Sequence, residues 1–425
     1  MNITLILILV LVACIGLFIC LCITRENLRV DAAYVVGFCV YFDLFGYLYK
    51  QVMPGNALVL LLAVPFIPVC IALFSKGSKS WEFLRDQGVW LWGLVFLYAL
   101  GSLIWAPYET AGLNKLLILF IHAVVPGMYT YILYKKYNKF SWTVLALFGF
   151  AFAVAHLTLG EYSQEYPGRL VLPGGNPIYN ARMSLFTVTV CLWGRNIPLW
   201  IRIPVIAIAG ASAIATESRG PIAAFAVANL IMAVVVLFNK YKQGKLRNLK
   251  GIVLAFLAVI VLGIFAGLPY IGELKDWVEG SRFSVLFDRQ ALMGDDNMIG
   301  RLVLQEKAIA TWNEHPFIGA GIGSVTPPLA HDFPHNVLLE IVSELGVVGM
   351  TLWTLAYLYS LWAGRQFPVV MVLLLQTLGS ALMSGDFGYN FEYLLMAFVA
   401  LMLVPEKEQK GGEEDAKNLV PHYRA

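Results

Sequence analysis

Two apolar runs with almost no loop between them decide the fold. They read PLWIRIPVIAIAGASAIATESRGPIAAFAVANLIMAVVVLFNK over residues 198–240, and the short polar break is Thr216–Gly220. Each run approaches the roughly 20 residues that an α-helix needs to cross the hydrocarbon core of a membrane. Because lipid offers no hydrogen bonds to an open backbone, such runs must be helical. The stretch therefore predicts two successive transmembrane helices.

The same pattern continues through the whole chain of 425 residues, which is 59% hydrophobic and only 13% charged. Soluble proteins are about 45–50% apolar and about 25% charged, so a soluble enzyme, a nucleic-acid-binding module and a disordered scaffold are excluded. We predict an all-α, polytopic membrane bundle of 12 or 13 transmembrane helices, the count being open because the block at 179–193 is short. The apolar blocks are 3–23 (interpreted as a retained first helix), 32–49, 57–74, 88–105, 113–134, 141–160, 179–193, 198–216, 220–238, 251–270, 336–363, 367–384 and 389–404.

The distribution of Lys and Arg orients this bundle. Although the net charge is only +3, one set of helix ends holds twice as many basic residues as the other. Basic residues concentrate on the cytoplasmic side of membrane proteins, so the richer set, which includes the C-terminal tail, is predicted to be cytoplasmic. The segments 161–178, 216–220, 271–335 and 385–390 are then all extracytoplasmic.

Four regions follow from this topology. They are transmembrane helices 1–10 (1–270), a long extracytoplasmic loop over a cavity (271–335), the last transmembrane helices (336–404) and a charged cytoplasmic tail (405–425). The loop carries nine acidic and five basic residues. Within it, Met298–Trp312 places apolar side chains at helical spacing, which predicts an amphipathic helix that lies on the membrane or caps the cavity. A solvated helix packed on the bundle is the alternative.

Glycines follow that helix at Gly319, Gly321 and Gly323, which predicts a flexible turn ended by Pro327 and Pro328. A dinucleotide site is rejected for this glycine run, because the strand and helix that such a site requires do not surround it and the loop faces away from the nucleotide pool.

Two histidines, His331 and His335, precede a long predicted helix that begins after Asn336. A helix start lowers the pKa of a nearby imidazole, and a neutral imidazole can act as a general base. Two alternatives remain: a histidine that caps the helix or pairs with Asp332, and a metal site formed by both histidines with Asp332 or Glu340.

Charged residues at the end of a predicted transmembrane helix are the second signal. Glu217 and Arg219 lie between two apolar blocks, where such residues commonly mark a functional site; a structural pair between them is the alternative. Arg301 follows Gly300 at the head of the predicted loop helix. Guanidinium groups bind phosphate oxygens in a bidentate manner, so Arg219 and Arg301, if they converge, would hold a lipid-linked pyrophosphate.

These motifs together resemble the O-antigen ligase/polymerase superfamily. The resemblance rests on Ser218–Gly220, Gly300-Arg301, Trp312–Gly323 and the pattern H-x-x-x-H-N-x-x-L-x-x-x-x-E-L-G-x-x-G at His331–Gly349. It covers roughly the second half of the chain, whereas the first half matches only as a run of helices.

The resemblance implies a glycosyltransferase of the bacterial inner membrane whose active site faces the periplasm. It moves a glycan from undecaprenyl pyrophosphate to an acceptor sugar hydroxyl, with inversion and with neither metal nor other cofactor. Arg219 and Arg301 bind the pyrophosphate and His335 is the catalytic base. Possible supporting residues are His331, Asn336, Glu217, Glu344 and Asp386.

The implied partners are the undecaprenyl-pyrophosphate-linked donor, a glycan acceptor and membrane lipids, with no nucleic acid. The acceptor is a lipid-linked repeat unit for a polymerase, for which a chain-length regulator is a further partner, or lipid A–core for a ligase. The segment Ser384–Asn390 favours the polymerase. A flippase or transporter is the alternative from another class, and it would need ionisable residues deep in the helices, for which the candidates are Asp43, His122 and His156.

Overall fold

The structure is a computed structural model that describes seven stretches of the chain. These stretches are residues 30–52, 64–66, 69–70, 80–164, 168–244, 296–326 and 333–404. The predicted helices at 3–23 and 251–270, most of the one at 57–74 and the tail at 405–425 lie outside the described residues, as do His331 and Asp332.

Helices form most of the described chain. The described residues contain thirteen α-helices: α1 (Ala33–Val40), α2 (Phe42–Val52), α3 (Gln87–Gly101), α4 (Glu109–Leu119), α5 (Val125–Tyr137), α6 (Trp142–Leu159), α7 (Pro177–Trp193), α8 (Leu199–Ala215), α9 (Arg219–Lys242), α10 (Asp296–Glu314), α11 (Val337–Gly364), α12 (Pro368–Ala381) and α13 (Glu392–Met402). A π-helical turn, Phe120–Val124, joins α4 to α5, and 3₁₀ turns lie at Ser80–Arg85 and Ser102–Ile104. Strands β1 (Glu161–Tyr162) and β2 (Leu170–Val171) form a small antiparallel hairpin.

Several of these helices are suited to a membrane. Five helical stretches of the described chain are long and apolar enough to cross one, namely Gln87–Ile104, Glu109–Tyr137, Trp142–Leu159, Arg219–Lys242 and Val337–Gly364. Helices α8, α12 and α13 are shorter and apolar. The predicted all-α polytopic membrane bundle is confirmed, whereas the total of 12 or 13 crossings stays a prediction because part of the chain lies outside the described residues.

Helix α7, which corresponds to the short apolar block, lies at the centre of the bundle. It packs against α6, α8, α9 and α12, and its side chains are buried on every face from Asn180 to Cys191. Its polar side chains hydrogen-bond to neighbouring helices: Ser184 Oγ lies 2.8 Å from Ser212 Oγ, and Thr187 Oγ1 lies 2.8 Å from Tyr41 Oη. Such bonds hold helices together where water is absent.

Helix α11 is interrupted at Gly346, where the sequence predicts an unbroken helix. Gly346 has a φ of 66° and a ψ of −169°. A Cβ at this position would lie 2.2 Å from the carbonyl oxygen of Phe317, so only glycine allows the two backbones to approach. The amides of Val347 and Val348 donate to Pro316 O at 2.9 Å and Phe317 O at 3.1 Å. The break therefore docks the end of the long loop onto α11.

The glycine run after α10 is packed, and the prediction that it forms a flexible turn is wrong in that respect. Gly321 N donates to Glu344 O at 2.8 Å, and Ile322 N donates to Ser102 Oγ at 3.0 Å. A Cβ at Gly321 would lie 2.5 Å from the Cα of Ala106. Because these residues are glycines, the loop can pack against the backbone at Glu344 on one side and at Ala106 on the other.

The predicted loop helix is confirmed as α10, which extends two residues beyond the expected range at each end. It packs on α11 through a face that includes the buried Ala308. Its apolar side chains on the other faces are 44–58% exposed among the described residues, and these are Ile299, Leu302, Val303 and Ile309. An exposed apolar face fits the predicted amphipathic helix on a membrane better than a solvated one.

Candidate active site at the head of helices α9 and α11

Arg301 lies in the second turn of α10 and contacts the connection between α12 and α13. Its Nη1 donates a hydrogen bond of 3.0 Å to the main-chain oxygen of Met383. The guanidinium is thus held at the outer edge of the bundle by the segment that carries Ser384–Asn390.

The head of α9 borders the same residue. Arg219 is the first residue of α9, and a Cβ on the adjacent Gly220 would lie 3.4 Å from the Cβ of Met383. Arg301 of α10 and the head of α9 therefore both lie next to Met383, and the convergence of the two guanidinium groups on a pyrophosphate stays a prediction.

A buried arginine fixes the turn before Arg219. Glu217 has a φ of 48°, an unusual conformation for a residue with a side chain. Arg169, beside strand β2, donates from Nε to Thr216 O at 2.9 Å and from Nη2 to Ser218 Oγ. The partners of Arg169 are 47 and 49 positions away in the chain, so no local sequence pattern identifies its role.

His335 lies beside Arg301, just outside the membrane-spanning part of α11. Its φ is 53°, its ring centroid is 4.3 Å from that of Phe333, and its buried Nδ1 has no hydrogen-bond partner among the described residues. Burial, and secondarily the positive charge of Arg301, lowers the pKa of His335 to about 4. The direction agrees with the sequence prediction, but burial and Arg301, rather than the start of the helix, are the causes. The imidazole is neutral at pH 7.

The cap of α11 is Asn336, which argues against a capping role for His335. Asn336 Oδ1 accepts from Leu338 N at 3.1 Å and Leu339 N at 3.2 Å. Asn336 thereby has a structural explanation as a helix cap. Gln305 Nε2 donates to Pro334 O at 3.3 Å, which ties α10 to the residues before the cap.

Two of the predicted supporting residues, Glu344 and Asp386, lie in a buried polar cluster. Lys115 on α4 forms ion pairs with Glu340 and, at 2.7 Å, with Glu344. Glu340 Oε2 accepts from Phe387 N at 2.9 Å, and Asp386 Oδ1 accepts from Tyr389 N at 2.7 Å. Glu340 and Asp386 therefore hold the backbone around the site in place, and Glu344 supports Glu340 through their shared partner Lys115.

Arg182 on α7 holds the same segment from the other side, and sequence analysis did not single it out. It donates to Ser380 O at 2.9 Å, Ser384 O at 2.8 Å and Asn390 Oδ1 at 2.8 Å. Glu392 lies 3.5 Å from its Nη1. The sequence feature that could have identified Arg182 is the presence of an arginine within an apolar block. We call residues 383–390, held between Lys115–Glu340 and Arg182, the clamped segment.

The ionisable residues that a transporter would need have local partners. Asn180 Nδ2 donates to Asp43 Oδ2 at 3.0 Å, His122 Nδ1 lies 3.0 Å from Ile118 O, and His156 Nδ1 lies 2.8 Å from Ser212 Oγ. These contacts favour the interpretation of all three as core residues. The metal-site alternative stays open: the described residues contain no group of three ligands for a metal ion, but His331 lies outside them.

Comparison with known proteins finds a related family for part of the chain. The chain is similar to the O-antigen ligase family, whose model matches residues 204–354. No curated protein matches the chain. The matched range contains Arg219, Arg301 and His335 and ends before the clamped segment. Residues 204–354 are therefore similar to the O-antigen ligase family, and through them the chain matches the O-antigen ligase/polymerase superfamily.

Proposed function

We propose that this multi-pass membrane protein is a glycosyltransferase that moves a glycan from a polyprenyl-pyrophosphate donor to a sugar hydroxyl. The observation that carries the proposal is the meeting of three segments: α10 binds Met383 through Arg301 and Pro334, the neighbour of His335, through Gln305, and the head of α9 also borders Met383. Cationic groups that bind phosphate and a neutral base, side by side, suit a displacement at an anomeric carbon.

The proposed reaction is a single displacement. The acceptor oxygen attacks the anomeric carbon, the bond from that carbon to the pyrophosphate oxygen breaks, and polyprenyl pyrophosphate leaves with the bonding electrons. His335 takes the hydroxyl proton, and the anomeric configuration inverts. Arg219 and Arg301 neutralise the phosphate charge, so no step in this scheme calls for a metal ion.

Donor binding would also make His335 a better base. Its pKa of about 4 keeps the imidazole neutral but weakly basic. Pyrophosphate bound to Arg301 would offset the charge that lowers this pKa, and a base is most effective when its pKa is near the working pH. The base would therefore strengthen when a donor is present.

Within the superfamily we propose the polymerase, in which one lipid-linked chain is joined to another lipid-linked repeat unit. The clamped segment, whose sequence favours this branch, borders Arg301 through Met383. Transfer of a finished chain to lipid A–core by a ligase is the alternative. We place the reaction on the periplasmic face of the inner membrane, as the basic residues indicate.

Reconstitution in liposomes with a lipid-linked repeat unit tests the proposal. A polymerase yields longer lipid-linked chains without lipid A–core, a ligase gives product only when lipid A–core is added, and a transporter gives flux without a new glycosidic bond. Activity should survive a chelator. A loss that added divalent ion restores would contradict the metal-free scheme.

Arginine variants test whether Arg219 and Arg301 bind the pyrophosphate of the donor. Arg219→Lys and Arg301→Lys keep the charge but lose the bidentate fork, so the rate should fall substantially in each, and further in the Ala variants. Arg365→Lys, on an exposed residue at the other end of α11, is the matched control. Full activity in both site variants would contradict the proposed role.

A further inference from the structure

A cavity of about 240 Å³ lies between α3, α5 and α13 among the described residues. The π-helical turn contributes to its wall. The lining includes Val124 of that turn and Leu119 just before it. π-Helical turns are rare and are found frequently at functional sites.

The cavity wall is almost entirely hydrocarbon. The polar atoms of its two amphipathic aromatic residues are engaged elsewhere: Trp92 Nε1 donates to Ser360 Oγ at 3.0 Å, and Tyr393 Oη accepts from Trp353 Nε1 at 3.3 Å. A ligand in this space meets ring faces and aliphatic groups, so it must itself be apolar.

The cavity begins next to the candidate active site. One end is lined by Phe387, which lies in the clamped segment four residues after Met383, the residue that binds Arg301. Along α3 the lining runs from Val89 to Leu97, about 12 Å at the helical rise of 1.5 Å per residue. Leu97 is 59% exposed on the outside of the bundle. The space thus extends from the site along the transmembrane helices and reaches their lipid-facing surface.

We propose that this cavity binds the first isoprene units of the polyprenyl chain of the donor. The inference rests on the proposed function, which places the pyrophosphate at Arg219 and Arg301. A chain that begins at that headgroup and continues into the membrane meets the cavity at Phe387. The five aromatic residues of the lining offer ring faces to the double bonds of an isoprenoid, and they are Trp92, Phe96, Phe387, Tyr393 and Phe398.

Two glycines of the same helix provide a matched pair of variants. Gly93 lines the cavity, Gly101 does not, and a Cβ at either position meets nothing within 4 Å. Gly93→Phe should therefore fill the cavity without a clash, whereas Gly101→Phe should add a ring to open space. Gly93→Leu is a smaller change, for use if the larger ring disturbs folding.

The kinetic test compares a long-chain donor with one that has only two isoprene units. Because each buried methylene contributes to affinity, Gly93→Phe should raise the KM for the long-chain donor at least about tenfold and leave kcat nearly unchanged. The KM for the short-chain donor should change little, and Gly101→Phe should change neither. Equal effects of Gly93→Phe on both donors would overturn the proposal, and so would a lowered melting temperature with both activities reduced in Gly93→Phe and Gly93→Leu alike. The second result would indicate that another segment of the chain fills the space.

Photolabelling separates failure of this proposal from failure of the proposed function, because it requires no turnover. A diazirine-bearing polyprenyl phosphate should label α3 and α13 of the intact protein in vesicles, and Gly93→Phe but not Gly101→Phe should suppress the labelling. A diazirine phospholipid should label these helices weakly. Phospholipid labelling that excess polyprenyl phosphate does not displace would show that an ordinary acyl chain occupies the cavity. Specific polyprenyl labelling without transfer would contradict the transferase alone.

Discussion

At the scale of single residues, His335 is the most decisive position. We expect His335→Ala to lower the rate of transfer by about 10²–10⁴-fold, the usual range for a general base, while donor binding persists through the arginines. His335→Asn should be similarly inactive. Asparagine could replace a histidine that caps a helix, but Asn336 already caps α11, and asparagine cannot replace a base. The measurement is single-turnover transfer together with donor binding. An active, folded His335→Asn protein would refute the assignment.

Asn336→Ala is the matched control for that experiment. It should lower the stability of the protein by about 1 kcal/mol, as loss of a helix cap does, and reduce the rate much less. Because His331 lies four residues before His335, the same substitutions there separate the two histidines. We expect the milder effect at His331.

The pH dependence of kcat/KM tests the link between Arg301 and His335. The pKa of His335 is lowered to about 4, first by burial and then by Arg301, and kcat/KM reports the ionisation of the free enzyme. Activity should therefore fall on the acid side only as pH approaches about 4. Arg301→Gln removes one of the two causes of the lowered pKa, so the pKa of His335 should rise. The fall of kcat/KM on the acid side should then occur at higher pH in that less active variant. A fall at an unchanged pH would contradict the electrostatic contact.

Candidate site residues could be named from the sequence, whereas the residues that position them could not. Arg219, Arg301 and His335 lie in local motifs that the sequence displays directly. Arg182 and Arg169 do not, because their function depends on partners brought close by folding; Arg182 binds Asn390, which is 208 positions away. No local pattern could have identified that contact.

At the scale of elements, the clamped segment depends on Arg182. Arg182→Lys cannot reproduce donation to two carbonyl groups and Asn390, and it leaves buried acceptors without partners, which costs about 1–3 kcal/mol for each group. We expect a clear fall in melting temperature and a lower rate of transfer. Arg365→Lys, where the exposed guanidinium donates to Trp362 O, should be nearly neutral.

Helix α11 offers a second test at this scale. Gly346→Ala places a methyl group 2.2 Å from Phe317 O, in a backbone with a positive φ. The variant should lose more than about 2 kcal/mol of stability, measured by thermal unfolding in detergent. Gly210→Ala is the control, because a Cβ there meets nothing within 4 Å. Equal melting temperatures for the two variants would show that the close approach is absent.

The apolar blocks of the sequence predicted the positions of these helices well. They did not predict where the backbone is interrupted or tightly packed. Hydropathy records which residues avoid water, so the block at 198–216 matches α8 closely. It does not record how closely two backbones approach, so the break at Gly346 and the packed turn at Gly321 escaped prediction.

At the scale of the whole molecule, the distribution of basic residues predicts the orientation in the membrane. A reporter fused after Lys245 should be cytoplasmic and one inserted near Asp295 periplasmic, because the basic residues concentrate on the first side. Labelling of single added cysteines with an impermeant reagent is a suitable check. If both positions report the same side, the periplasmic placement of Arg219, Arg301 and His335 fails with the topology.

The hydrogen bond between Arg301 and Met383 ends on a main-chain oxygen, which any amino acid at position 383 would supply. The side chain of Met383 is 38% exposed beside the same guanidinium. Under the proposed function, evolution can therefore exchange that side chain, and so reshape the surface that a sugar would meet, without altering the arginine that would hold the leaving group. Substrate choice and phosphate binding would then be separately adjustable at one residue.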